Sequence, residues 1–130
     1  MIIGVDPGKD KCGVAVLDSN GEVKFSEVIA TSEFEIVLQK LSAQFEIELA
    51  ILGNGTTHAN AEKKLRDIGL KVLVVDEKFT TEQARKLYWK KFPPQGWRKF
   101  LPTSMQVPPV PVDNLVAEIL INRYLGLNNG

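Results

Sequence analysis

The first thirty residues alternate short apolar runs with turn signals. Asp6 ends the first run, Pro7-Gly8 forms a turn, and a second run reaches Leu17. Such a pattern predicts a hairpin. After the hairpin-type dipeptide Asn20-Gly21, residues 22–30 read as a third antiparallel strand.

The middle of the chain switches between helical and strand periods. Ser32 and Glu35 have capping-box spacing, and the apolar residues that follow recur at helical intervals: Phe34, Val37, Leu38, Leu41 and Phe45. Residues 49–53 read as a buried central strand reached through a crossover helix. A second helix is expected over residues 58–68, with Gly69 as its end and Ala61, Leu65 and Ile68 facing inward.

The last part adds a fifth strand over residues 71–75 and two helices. Thr80 and Gln83 form a second capping box, so a helix should run to about Trp89. Residues 90–112 hold six of the seven prolines and read as a long loop, which is usually functional or disordered. A final helix from Asp113 to about Leu125 should bury Val116, Ile119, Leu120 and Tyr124. This order predicts one α/β domain over residues 1–130, with a mixed five-stranded sheet and helices on its faces.

Three carboxylates from distant parts of the chain stand at the ends of these elements. Asp6 and Glu77 follow strands, and Asp113 opens the last helix. If the strands are parallel neighbours, their ends meet at one sheet edge, where α/β sheets place their sites. Oxygen ligands of this kind suit Mg²⁺ or Mn²⁺ and phosphoryl-transfer chemistry. Spacing alone leaves the alternative open that Asp6 forms a turn and Asp113 caps a helix.

Composition narrows the class of protein. The chain has 130 residues, 44% of them hydrophobic, so it has room for a core. Its single cysteine, Cys12, cannot form an internal disulfide and reads as a packed thiol. Because no apolar run approaches membrane-spanning length and no signal peptide is apparent, we expect a cytoplasmic protein, monomeric or homodimeric, without a membrane partner.

Charge is unevenly distributed although the net charge is zero. Residues 83–112 contain six basic residues and no acidic one. Four of these cations alternate with aromatic rings: Lys90, Lys91, Arg98 and Lys99. Cations can bind the phosphates of a nucleic acid while neighbouring rings stack on its bases. Trp97 is the best candidate for a stacking residue. Alternatively, the rings anchor the loop and the cations are only solvated.

The loop after the fourth strand offers a second candidate for phosphate contacts. Asn54, Thr56 and Thr57 precede a helix, so they could cradle a phosphate. The alternative is an ordinary strand-to-helix turn with Thr57 as its N-cap. His58, the only histidine, could touch a phosphate from the helix start, but a passive role fits a lone exposed histidine better.

Three motifs resemble the YqgF/RuvX family of Holliday junction resolvases and pre-16S ribosomal RNA nucleases. They are Gly4-Val5-Asp6-Pro7-Gly8, Val75-Asp76-Glu77-Lys78-Phe79-Thr80-Thr81, in which Lys78 and Phe79 replace arginine and leucine, and Val112-Asp113-Asn114-Leu115-Val116-Ala117. The long aromatic segment 88–112 resembles a branch of that family from cyanobacteria and plastids.

The resemblance implies a ribonuclease H-like fold in which the first, fourth and fifth strands are parallel. It also implies that Asp6, Glu77 and Asp113 bind catalytic Mg²⁺ or Mn²⁺. Asp10 and Asp76 are further candidates for auxiliary ligands. The expected activity is endonucleolytic cleavage of structured RNA or branched DNA. Two alternatives stay open: a nucleic-acid-binding protein without catalysis, and an actin-like ATP-binding domain, which would need a second subdomain.

Overall fold

A computed structural model describes residues 1–55, 57–77, 80–92 and 112–126, and within them five strands form one mixed sheet. The strands are β1 (Ile2–Asp6), β2 (Lys11–Leu17), β3 (Val23–Ala30), β4 (Leu49–Gly53) and β5 (Lys71–Val75). Their order is β3-β2-β1-β4-β5, with antiparallel pairing from β1 to β3 and parallel pairing among β1, β4 and β5. The sheet therefore has the predicted mixed topology, with β1 at its centre.

Helices cover both faces of this sheet, as predicted. They are α1 (Phe34–Gln44), α2 (His58–Asp67), α3 (Thr80–Lys91) and α4 (Asp113–Leu125). Since neighbouring strand residues point to opposite faces, Ile3 packs in a core with α1 and α2, and Ile2 packs in a second core with α3 and α4. No helix within the described ranges is long and apolar enough to cross a membrane.

Helix α4 lies directly on the sheet because two strand positions are glycine. A Cβ added at Gly4 would lie 2.5 Å from the carbonyl oxygen of Ala117 and 2.8 Å from Cγ1 of Ile121. A Cβ added at Gly13 would meet the backbone of Asp113 and lie 2.5 Å from the Asn114 nitrogen. The two glycines therefore set the depth at which the first turns of α4 pack.

Several local predictions were wrong in detail. The Ser32 capping box does not form; Thr31–Glu33 make a 3₁₀ turn and α1 begins after it without a side-chain cap. Helix α2 ends one residue early, at Asp67, and Ile68 is 39% exposed. Tyr124, which was predicted to be buried, is half-exposed. Helix α3, predicted to end at about Trp89, runs to Lys91.

Candidate active site

Asp6 occupies the end of the central strand, where β1 stops and the turn to β2 begins. Its carboxyl group is half-buried and lies beside two further carboxylates. Burial first, then a hydrogen bond and charge repulsion from Glu77, and last the charge of Asp113 raise the pKa of Asp6 to about 9. Asp6 therefore keeps its proton near neutral pH when no cation compensates the cluster.

Glu77 reaches Asp6 across the end of β4. It follows β5, and β4 lies between β5 and β1. Glycines at the end of β4 and just after it carry no side chain that would block this path. A Cβ added at Gly53 would lie 2.6 Å from Cγ of Glu77, and one added at Gly55 would lie 3.3 Å from Oε2 of Glu77. Two glycines thus open the path that the Glu77 side chain takes towards Asp6.

The backbone of Glu77 is held from both sides. Its amide donates to Oδ1 of Asn54 over 3.2 Å. Its carbonyl oxygen accepts from the Thr80 hydroxyl over 2.6 Å and from the Thr80 amide over 3.0 Å. Asn54 was predicted to contact a phosphate and Thr80 to belong to a capping box, and their role in holding Glu77 was not predicted. The available signal was an asparagine between two glycines, directly after a strand.

Oε1 of Glu77 is buried and finds no hydrogen-bond partner among the described residues. A buried carboxylate oxygen without a partner is costly, because it loses its hydration without compensation. Such an atom needs either a proton donor or a cation beside it.

Asp113 shares an open cleft with Asp6. Helix α4 starts over Gly13, the strand partner of Asp6, so the first residue of the helix comes next to the end of β1. The cleft measures about 300 Å³ and is lined by Asp6, Pro7, Gly8, Lys9, Asp10, Lys11 and Asp113. Within the described ranges, however, no three acidic, histidine or cysteine side chains are arranged to hold a metal ion together.

The auxiliary residues separate into two groups. Asp10 is exposed and lines the cleft, whereas Asp76 is exposed and does not line it.

His58 turns back onto its own loop, where its Nδ1 lies 3.0 Å from the carbonyl oxygen of Gly55. Thr57 precedes α2 without a side-chain capping bond.

Only part of the predicted nucleic-acid surface falls in the described ranges. Thr56, Trp97, Arg98 and Lys99 lie outside them. Lys90 is exposed in the last turn of α3. The ammonium group of Lys91 donates instead to Oε1 of Glu118 over 3.1 Å.

Glu118 is a buried carboxylate on α4 that sequence analysis did not identify. It is 3% exposed, and its Oε2 accepts from the Ser26 hydroxyl over 2.5 Å. The Asn114 amide donates to the same hydroxyl over 2.9 Å. This network joins β3, α3 and the first turns of α4, and so fixes the helix that carries Asp113.

Replacing Lys91 by methionine should destabilise the fold. The change leaves the buried Glu118 charge without its cation, and we expect a loss of about 1–2 kcal/mol in the free energy of unfolding, less than for a fully buried pair because Lys91 is 39% exposed. Denaturant unfolding measures it. Lys90→Met, on the exposed neighbour, serves as control, and adding Glu118→Gln should restore much of the loss; equal stability of both lysine variants would contradict the network.

The raised pKa of Asp6 predicts how stability depends on pH. The folded protein holds a proton that the unfolded chain releases above the ordinary value of 3.8, so the free energy of unfolding should fall as the pH rises from 3.8 towards about 9. Denaturant unfolding in excess chelator, from pH 5 to about 8, tests this. Asp6→Asn should flatten the decline, and a variant that follows the wild-type curve would refute the assignment.

Comparison with solved structures identifies the fold. The structure of RuvC from Thermus thermophilus matches with a TM-score of 0.55 over 98% of this chain and 96% of that chain, at 13% sequence identity. The chain therefore has a ribonuclease H-like fold, resembling that of RuvC. A search of protein-family models and one of curated proteins found no match.

Two matches from the ROK family are weaker. A transcriptional regulator homologous to the E. coli MLC protein has a TM-score of 0.47 and 17% identity, with 67% of this chain covered and 30% of that one. A glucokinase from Streptomyces griseus has a TM-score of 0.44 and 16% identity, with 65% of this chain covered and 35% of that one. This chain spans about a third of the length of those proteins, and at such scores the likeness carries no argument about function.

Proposed function

We propose that this protein is a metal-dependent endonuclease that hydrolyses a phosphodiester bond in structured nucleic acid. The observation that carries the proposal is the buried Oε1 of Glu77, which has no hydrogen-bond partner among the described residues, beside an Asp6 whose pKa is raised to about 9. A divalent cation would remove both costs, since it gives the oxygen a partner and displaces the proton of Asp6. The ribonuclease H-like fold supports this activity.

Asp6, Glu77 and Asp113 would hold Mg²⁺ or Mn²⁺. All three offer carboxylate oxygens, which hard divalent cations prefer. Gly53 and Gly55 leave room for Glu77 at the site, and Asp113 lines the same cleft as Asp6. When bound, the cation would activate a water and neutralise the charge that develops on the phosphate.

The residues around the carboxylates would orient the substrate. Lys9 and Lys11 line the cleft with Asp6 and would attract the phosphate backbone. Lys90, exposed in the last turn of α3, is a further candidate for phosphate contacts. We further propose that Thr56, Thr57, Trp97, Arg98 and Lys99 take part in nucleic-acid binding. Asn54 and Lys91 would do so in addition to their contacts with Glu77 and Glu118.

The substrate class follows from the resemblance to YqgF/RuvX proteins, and membership in that family is part of the proposal. Candidate substrates are precursor 16S ribosomal RNA and four-way DNA junctions. Each should be incubated with Mg²⁺, with Mn²⁺ and with excess chelator. We expect divalent-dependent cleavage of one of them, and persistent cleavage in chelator would refute the mechanism.

Titrations of the two nucleic acids and of ATP, run beside the cleavage assay, separate the alternatives. Tight binding of either nucleic acid without cleavage under any metal condition would favour a binding protein without catalysis. Saturable binding of ATP, with no affinity for either nucleic acid, would favour an actin-like domain.

A further inference from the structure

A pocket of about 260 Å³ lies behind the turn that joins β1 to β2, on the face covered by α1 and α2. Its floor is apolar and buried: Val5, Cys12, Phe34 and Ala61. Its mouth is polar: Lys9, Thr31, Thr57, Asn60 and Lys64. None of the described residues that line it is acidic, so it suits an anionic ligand with an apolar part.

The turn between β1 and β2 forms the wall between this pocket and the carboxylate cleft. Pro7, Gly8 and Lys9 line both spaces. Thr31 fixes the wall, because its hydroxyl donates to the carbonyl oxygen of Gly8 over 2.9 Å and its amide donates to that of Asp10 over 2.9 Å. A ligand in the pocket is thus held at a fixed offset from Asp6.

One stripe of α2 supplies most of the mouth. Thr57, just before the helix, and Asn60 and Lys64 within it have the spacing that places residues on one helix face. The Asn60 amide offers a donor and an acceptor to the edge of a base. Lys64 and Lys9 offer ammonium groups to a phosphate. Burial of Cys12 raises the pKa of its thiol to about 11, which keeps the floor uncharged.

We propose that the pocket takes one nucleoside phosphate, with its base over the apolar floor and its phosphate between Lys9 and Lys64. This inference rests on the proposed nuclease function. The ligand is then an unpaired nucleotide of the substrate strand, and it neighbours the phosphodiester that enters the cleft. The same chemistry would bind a free nucleoside monophosphate. The volume lies just below the range of about 300–1,000 Å³ typical of ligand sites, which suits a single base.

Binding in excess chelator tests the pocket without cleavage. Two probes are titrated by anisotropy and NMR: a labelled single-stranded RNA of mixed sequence, compared with the same strand lacking bases, and 5′-AMP. The variant Asn60→Ala/Lys64→Ala changes two positions of α2 at the pocket mouth, neither of which is buried. Lys63→Ala removes a charge from the same helix outside the pocket and is the matched control.

The double variant should bind the intact strand about tenfold more weakly, as expected for loss of hydrogen bonds to a charged group. Its effect on the strand lacking bases should be smaller, and Lys63→Ala should behave like the wild type. Loss of 5′-AMP binding with unchanged strand binding would assign the pocket to a free nucleotide. If neither ligand is affected, the pocket proposal is overturned.

Failure here is distinct from failure of the nuclease proposal. Divalent-dependent cleavage by the wild type with unchanged binding by the double variant would overturn only the pocket. Absence of cleavage by the wild type would overturn the nuclease assignment, and nucleotide binding that depends on Asn60 and Lys64 would still establish the pocket as a nucleoside phosphate site.

Discussion

Asp6→Asn is expected to reduce divalent-dependent cleavage at least about 100-fold, since even residues that only support a metal ligand typically account for 10–100-fold. Asparagine keeps the size of the side chain. It lacks the negatively charged oxygen with which Asp6, beside Glu77 and Asp113, would bind a cation. The fold should survive and gain stability in chelator, because asparagine is neutral without the proton that Asp6 must take up on folding.

Two measurements check this expectation together. Initial cleavage rates with Mg²⁺ and Mn²⁺ give the loss of activity, and the rise in melting temperature on adding metal should disappear in the variant. Asp67→Asn removes the same charge from the last residue of α2, which pairs with Lys63, and should leave both quantities unchanged. Cleavage by Asp6→Asn at the wild-type rate would refute the proposed site.

Gly13→Val should be the most destabilising single change on the sheet. The new side chain would enter the space of the Asp113 backbone, and a backbone cannot rotate away as a flexible side chain can. Overpacking usually costs about 1–3 kcal/mol, and we expect about 3 kcal/mol or more here. Because α4 must shift, Asp113 should also move from the cleft and cleavage should fall in the protein that remains folded.

The control for this change is Gly69→Ala. An added methyl at Gly69 meets nothing within 4 Å, although its φ of +89° disfavours alanine, so only a backbone penalty of about 1 kcal/mol is expected. Denaturant unfolding of the two variants separates crowding from backbone strain. Wild-type stability of Gly13→Val would mean that α4 does not pack on β2 as described.

The sequence was sufficient for the architecture because its strongest signals are local. Gly21 and Gly69 both adopt positive φ, as turn and helix-end glycines do. The first and last residues of β4 and β5 are those predicted from the pattern of apolar residues. The Ser32 capping box failed for a non-local reason. Thr31 makes its hydrogen bonds to Gly8 and Asp10, and these favour a 3₁₀ turn over a capped helix start.

The candidate site likewise combines residues that a local pattern indicates with residues whose role depends on distant partners. The carboxylates stand at element ends and could be located by pattern, although their catalytic role stays a prediction. The role of Asn54 in holding Glu77 and the burial of Glu118 were not predicted, since each depends on a partner many residues away. A carboxylate inside an apolar helix face carries no sign of the lysine and serine that will enclose it.

The docking of α4 has a consequence for how the protein acquires its site. Asp6 lies near the start of the chain, Asp113 near the end of the described part, and α4 contacts four of the five strands. Such long-range contacts form late, because loop closure must precede them. Synthesis from the N-terminus would therefore leave the cleft without Asp113 until the last helix emerges. The proposed metal site would therefore stay incomplete in a nascent chain until its synthesis had passed that helix.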